Sequence, residues 1–305
     1  MHIWQILDGK PGHENQTRGL SAALQRLSPN EEFTTDKIIA TKKLNSFYQW
    51  AFRLFPQGKF LHKPQLIIGA GHRTHPAILA AQRRYGGKSI VLMQPSLPTS
   101  LFDLCIIPEH DTPKVNDNVL LTKGVLNTIQ AQSKKTTNRT LILIGGPADH
   151  VSWSDEQILD QIKQITAITG KSFTISTSRR TPTSFTQALK TGVQPNVEIY
   201  LAEETPPDWL AGQLGQCSEA WVSADSVSMV YEAITAGVAV GILELKAEKN
   251  SRVIRGLTQL KKDNIVTPFS IWQRNKCLQS PQVFFNEAER CARWIFDHYF
   301  NKKIP

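Results

Sequence analysis

The amino-acid sequence predicts an α/β protein of two doubly wound domains, each a parallel sheet crossed by helices. Three observations carry that expectation. The chain has 305 residues, more than one compact core ordinarily holds. Short apolar runs bounded by glycine and proline alternate with amphipathic segments, the pattern of parallel strands joined by crossover helices. That alternation occurs twice, on either side of the polar, aperiodic stretch 130–139, which reads as a linker. The expected domains are therefore 1–133 and 134–280, with 281–305 as a terminal helical segment.

In the first half, strands are expected over 3–7, 33–40, 65–69, 89–94, 104–107 and 119–121. A helix is expected over 14–27, where Leu20, Leu24 and Leu27 recur at helical spacing. In the second half, strands fall at 141–145, 173–177, 197–201, 220–223 and 238–243, with a weaker one at 264–266. Between the strands at 220–223 and 238–243 a short helix starts at Asp225 or Ser226, either of which can cap it, and stops at Gly237. The segment 282–300 places Phe285, Ala288, Ala292, Ile295 and Tyr299 roughly on one face and should be the last helix.

Thirty-five Lys and Arg against 26 Asp and Glu give a formal net charge of +9. That favours an anionic partner: a nucleotide diphosphate, a membrane surface or nucleic acid. Cys105, Cys217, Cys277 and Cys291 lack paired spacing, which argues against a zinc site or disulfide framework and for a reducing compartment. The chain opens on a strand, and no apolar run is long enough to span a bilayer, so a cytoplasmic location is expected. No nucleic-acid-binding motif accompanies the charge.

Doubly wound domains bind ligands at the carboxyl ends of their strands, so the loops there are expected to meet in one cleft. After the first strand comes Asp8-Gly9-Lys10-Pro11-Gly12-His13-Glu14-Asn15-Gln16. Its two glycines suit a tight turn and close ligand approach, and Pro11 after Lys10 rules out a Walker motif. His13 is a candidate general base, oriented by Asp8, Glu14 or Glu109; the alternative is a loop histidine that caps or packs. Gly71-His72-Arg73-Thr74-His75 and Glu109-His110-Asp111 are dense in ionisable groups. Their spacing matches no established zinc pattern, so no metal is expected, and Arg73 can instead pair an anion. The acceptor side of the cleft is thus Gly9, Lys10, Gly12, Asn15, Gln16, His72, Arg73 and His110, with His13 and Glu109 catalytic.

In the second half, Gly145 and Gly146 permit backbone approach to phosphate, and Ser178, Arg179 and Arg180 follow the next strand. The turn Asp225-Ser226-Val227-Ser228-Met229 opens a helix whose free N–H groups suit a diphosphate, and Glu232 lies one turn past Ser228, where a carboxylate can hold a ribose diol. Taken alone, each piece also fits an ordinary βαβ unit with capping serines and a solvated glutamate. One further segment, 45–63, interleaves aromatics with cations and suits peripheral attachment to an anionic bilayer; alternatively Phe47, Trp50 and Leu54 form the core stripe of a crossover helix.

Taken in order, the Asp8–Gln16 string, Gly71-His72-Arg73-Thr74, Phe102-Asp103, Pro108-Glu109-His110-Asp111, Gly145-Gly146-Pro147, Thr177-Ser178-Arg179-Arg180-Thr181-Pro182 and Asp225-Ser226-Val227-Ser228-Met229 resemble the mitochondrial fission ELM family over nearly the whole chain. Bacterial members are regarded as glycosyltransferases of lipopolysaccharide or lipooligosaccharide outer-core assembly. The family in turn looks like the GT-B architecture. The resemblance implies two Rossmann-like doubly wound domains facing a cleft, an acceptor site in the first, a nucleotide-sugar site in the second and a C-terminal helix crossing back to the first domain. By the same analogy His13 matches the base, Ser226 and Ser228 the phosphate-binding turn, and Glu232 the ribose contact. Two departures stand out: Gln94-Pro95 where relatives tend to have Asp-Pro, and Gly237-Val238-Ala239-Val240 where they usually carry Gly-Lys-Pro-Val.

The resulting expectation is a metal-independent, cofactor-free glycosyltransferase. It would move a sugar from a nucleotide diphosphate sugar to a lipid-linked saccharide or lipopolysaccharide-core acceptor, in the cytoplasm or peripherally on the inner membrane. The alternatives are a non-catalytic membrane-associated scaffold and a nucleotide-sugar epimerase or hydrolase on the same fold.

Overall fold

A computed structural model describes residues 1–29, 32–132, 136–192, 194–281 and 285–300. Its strands are β1 (His2–Leu7), β2 (Thr34–Ile39), β3 (Leu66–Ala70), β4 (Lys88–Leu92), β5 (Leu104–Pro108), β6 (Val119–Thr122), β7 (Thr136–Leu143), β8 (Val151–Ser152), β9 (Ser172–Ser176), β10 (Val197–Tyr200), β11 (Cys217–Ser223), β12 (Ala239–Leu243), β13 (Lys246–Ala247) and β14 (Thr267–Pro268). The helices are α1 (Pro11–Leu27), α2 (Lys43–Ala51), α3 (His75–Tyr85), α4 (Asp155–Thr166), α5 (Thr183–Thr191), α6 (Trp209–Gln216), α7 (Val227–Thr235), α8 (Arg252–Lys262), α9 (Phe269–Asn275) and α10 (Glu287–Tyr299).

The strands form two six-stranded parallel sheets, ordered β2-β1-β3-β4-β5-β6 and β10-β9-β7-β11-β12-β14, while β8 and β13 pair with each other antiparallel. Both long sheets are doubly wound. Strand order reverses between β1 and β3 in the first and between β7 and β11 in the second, and ligands of such sheets bind at these switch points. Continuous apolar runs make the central strands: β3 and β5 are buried at every residue, as strands covered on both faces must be. Successive side chains of β1 divide between the two faces, Ile3 joining Leu20 and Leu24 of α1, and Trp4 joining Ala77, Ile78 and Ala81 of α3.

The chain divides into two compact units, Met1–Thr128 with Asn286–Pro305, and Ile129–Phe285. Helix α10 thus belongs to the first unit. Its Ala288, Cys291, Ala292, Ile295 and Phe296 complete the core on the α1 face, and burial of Phe296 or Ile295 contributes about 1.5–3 kcal/mol each. Asn286 caps α10 by accepting the Glu289 N–H at 3.0 Å, which sets its start. The expected domain boundary at 133/134 and the expected helix start at 282 fall outside the described residues.

Several expected boundaries shift for identifiable reasons. Helix α1 begins at Pro11 rather than 14, because a proline at the first helical position needs no N–H partner; Gly12 and His13 therefore lie on the helix, not in a loop. Residues 136–139, expected as linker, open β7. Its Arg139 donates to Gln216 and Gln213, and Thr140 to Glu219, so polar side chains are satisfied along a central strand. The strand expected at 264–266 is Thr267–Pro268 instead, since Asn264 adopts φ 55° in the turn that ends α8. The core stripe expected from Phe47, Trp50 and Leu54 does not form: Phe47 and Leu54 are exposed, and Trp50 is half-buried beneath the Arg83 guanidinium. Among the described residues, no helix is long and apolar enough to cross a membrane.

Candidate functional site

The loops after β1 and β3 meet at the switch point of the first sheet. Asp8, at the end of β1, has a side chain with no exposed surface. One of its oxygens accepts the Lys10 backbone N–H at 3.1 Å and the other the His13 Nδ1–H at 2.8 Å. That contact fixes the tautomer, so the lone pair of a neutral His13 lies on Nε2. The imidazole is 19 % exposed. It sits on the first turn of α1, braced from behind by Gly71, whose φ of +86° and missing side chain are both required. A Cβ there would overlap His13 Nδ1 and stand 2.8 Å from Asp8 Oδ2.

Other expected first-unit residues surround this pair without joining it. Gly9 turns at φ +81° and Lys10 is the exposed N-cap of α1. Asn15 accepts from Thr128 Oγ1 at 3.3 Å, and buried Gln16 points Nε2 at Met93 Sδ, 3.3 Å away. His72 and Arg73 follow Gly71 on the exposed turn. One expectation is corrected here. Glu109 does not orient His13: it is exposed in a short 3₁₀ turn, its charge acts on Arg290, and the buried Asp8 already fills the orienting position. His72, His75, Glu109, His110 and Asp111 do not gather into a ligand set, and no group of three such side chains suited to a metal ion occurs among the described residues. Met93, with φ 72° directly after β4, is a strained residue beside Gln16 that no sequence pattern marked.

At the switch point of the second sheet, the loops after β7, β9 and β11 are tied through Asp225. Its carboxylate is wholly buried. Oδ1 accepts from Ser223 Oγ at 2.6 Å, and Oδ2 accepts from the Gly146 N–H at 3.0 Å and from Arg180 Nη2 at 2.8 Å. Ser223 Oγ in turn accepts the Gly145 N–H at 2.8 Å. Arg180 Nη1 donates to the Gly146 and Pro147 carbonyls, each at 3.1 Å, Ser178 Oγ donates to the Gly145 carbonyl at 2.8 Å, and His150 Nε2 donates to the Asp225 carbonyl at 3.1 Å.

This network changes several expected roles. Asp225 does not cap α7, because both its oxygens are committed to the neighbouring loops. Ser226 is the N-cap yet makes no side-chain hydrogen bond to the first turn. Gly145 and Gly146 leave room for the protein rather than for a ligand, since a Cβ on Gly145 would overlap the Asp225 carboxylate and one on Gly146 the Arg180 backbone. Of the paired arginines, Arg180 is spent on Asp225, whereas Arg179 is exposed and has no ion-pair partner among the described residues. Val227, Ser228 and Met229 present the N-terminal turn of α7, with Ser228 exposed, and Glu232 lies half-buried one turn on. Ser223, Thr181, whose Oγ1 donates to the Gly145 carbonyl, and His150 join the network without being among the expected site residues. The sequence signal for Ser223 is its place as the last residue of β11, two before Asp225.

Two parallel doubly wound units, the first completed by the last helix of the chain, define a GT-B-type α/β fold. Within that class the chain belongs to the mitochondrial fission ELM1 family, whose sequence model matches residues 11–299. The chain is 24% identical over 296 residues to the uncharacterized protein RP120 of Rickettsia prowazekii, covering 78% of this chain and 81% of that one. It is also 24% identical over 221 residues to the mitochondrial fission protein ELM1 of Arabidopsis thaliana, covering 59% of this chain and 51% of that protein, about half its length. Among solved structures, a candidate UDP-N-acetylglucosamine 2-epimerase from Listeria monocytogenes superposes with a TM-score of 0.63 at 12% identity, over 99% of this chain and 98% of that one. S. aureus MnaA, solved with UDP, does so with a TM-score of 0.56 at 13% identity, over 98% and 97%. At these identities the likeness is one of fold.

Proposed function

We propose that this chain is a metal-independent glycosyltransferase that uses a nucleotide diphosphate sugar and a lipid-linked saccharide or lipopolysaccharide-core acceptor at the cytoplasmic face of a membrane. The observation that carries the reading is the Asp8–His13 pair, a half-buried imidazole held by one nitrogen at a sheet switch point with the other directed away from its anchor. His13 Nε2 takes the proton of an acceptor hydroxyl while that oxygen bonds to the anomeric carbon of the donor. The bond from that carbon to the diphosphate oxygen breaks, and the diphosphate leaves. Arg179 and the first-turn N–H groups of α7 stabilise the charge it gains, and Glu232 holds the ribose. Gly145, Gly146, Ser178, Arg180 and Asp225 position that set. A fold neighbour solved with UDP supports nucleotide binding on this fold.

Thermal shift against nucleoside diphosphates and their sugars, paired with a transfer assay, tests the reading. Arg179→Ala and Glu232→Ala are expected to weaken nucleotide binding, while His13→Ala binds the donor and fails to transfer. Full transfer by His13→Ala refutes the proposed base. Donor turnover without acceptor would make the chain an epimerase or hydrolase, and absence of any nucleotide affinity would make it a scaffold.

A further inference from the structure

Helix α2 turns large aromatic rings toward water. Among its described side chains the fully buried ones are the polar Ser46 and Gln49, Trp50 packs half-buried against the core, and Phe47 and Tyr48 are 57% and 54% exposed. Just beyond its end, Phe52 is 61% and Leu54 47% exposed, and Phe60 is 90% exposed. A solvated helix keeps its apolar stripe inward, so this arrangement marks a surface meant to be covered. The exposure does not come from a loose loop. Gly58 is wedged against Trp4 and Tyr85, and His62 stacks on His2 with ring centroids 4.8 Å apart, so Phe60 is held out between two fixed points.

The charge around it is equally one-sided. From residue 37 to residue 102 the chain holds 10 of its 35 Lys and Arg and none of its 26 Asp and Glu, which leaves the remaining residues with 25 bases against 26 acids. Five of those ten, Lys42, Lys43, Arg53, Lys59 and Lys63, fall within 42–63, the stretch that presents the aromatic rings. Lys42, Arg53, Lys59 and Lys63 are exposed within it, and the Lys59 ammonium lies 5.3 Å from the Phe60 ring centroid.

We infer that this face, residues 42–63, docks on an anionic lipid bilayer. The rings of Phe47, Phe52 and Phe60 enter the boundary between headgroups and acyl chains, and the cations pair with headgroup phosphates. An acid-free, cation-rich segment that carries protruding phenylalanines complements anionic headgroups, whereas protein partners are ordinarily met with charges of both signs. The inference goes beyond the transfer reading and stands without it.

Flotation of the full chain with phosphatidylcholine vesicles, with and without roughly one-third phosphatidylglycerol, tests it. The wild type is expected to float with the anionic vesicles and to be released by high salt. Phe60→Ser should lower the partition coefficient by about tenfold or more. Each of Arg53→Gln, Lys59→Gln and Lys63→Gln should lower it by about fivefold, through loss of preference for the anionic lipid. These positions are exposed, so unchanged melting temperature and nucleotide affinity serve as the folding control and separate this test from that of the transfer reading. The inference is overturned if the wild type ignores anionic vesicles at low salt, if Phe60→Ser floats like the wild type, or if the same residues mediate self-association or capture of single-stranded DNA instead.

Discussion

Asp225 offers the sharpest test of how the second unit is built, through the paired substitutions Asp225→Ala and Asp225→Asn. Removal of the carboxylate leaves the Ser223 hydroxyl and the Gly146 N–H, both buried, without an acceptor. Each orphaned buried donor costs about 1–3 kcal/mol. The Arg180 guanidinium adds little, because it is 47% exposed and water replaces its partner. Asp225→Ala should therefore cost about 3–4 kcal/mol. Asparagine has nearly the same shape. Its carbonyl oxygen can replace Oδ2 toward Gly146 and Arg180, but its amide then faces Ser223 Oγ, which already accepts from Gly145. Only the Ser223 hydroxyl hydrogen is left without a partner, at about 1–2 kcal/mol. Urea unfolding of the full chain, followed by tryptophan fluorescence, reads both values. An alanine variant within about 0.5 kcal/mol of wild type, or an asparagine variant as costly as alanine, would refute the claim that Asp225 ties the three loops together.

Three further outcomes are expected. Gly71→Ala should leave the sheet folded, at a cost of about 1–3 kcal/mol for its left-handed backbone, yet push His13 off Asp8; transfer should then fall about 100-fold or more, with donor binding measured by calorimetry unchanged. Burial pushes the thiols of Cys105 and Cys291 up from 9.0 to about 12. The folded state therefore holds protons that the unfolded state has lost above pH 9, and stability contributed by these groups falls as pH rises from 9 toward 12. At pH 8 a maleimide should label Cys277, the exposed cysteine, and reach Cys105, Cys217 and Cys291 only in denaturant; rapid native labelling of Cys291 would contradict the core position of α10.

The sequence made the two-sheet plan and the ligand-facing loops legible because both rest on local signals. Apolar runs such as 66–70 and 104–107 can only be buried strands, and glycine-rich turns mark where strands end. What stayed hidden depends on contacts between distant residues. Asp225 looks like a helix cap in isolation, since an acid two residues after a strand and just before a helix is a capping pattern. Its actual partners, Gly146 and Arg180, lie 79 and 45 residues away and become neighbours only because β7, β9 and β11 are adjacent in the sheet. The partner of His13 is the opposite case. Asp8 lies five residues before it in the same strand-to-helix connection, so the contact is local, whereas Glu109 follows β5, three strands away from β1 in the sheet. Helix α2 and the residues after it show another case: the spacing of Phe47, Trp50 and Leu54 is that of a core stripe, yet Trp50 alone of the three packs half-buried against the core, while Phe47 and Leu54 are exposed and the polar Ser46 and Gln49 are buried. Periodicity thus reports that a face is apolar, and only packing reports what that face meets.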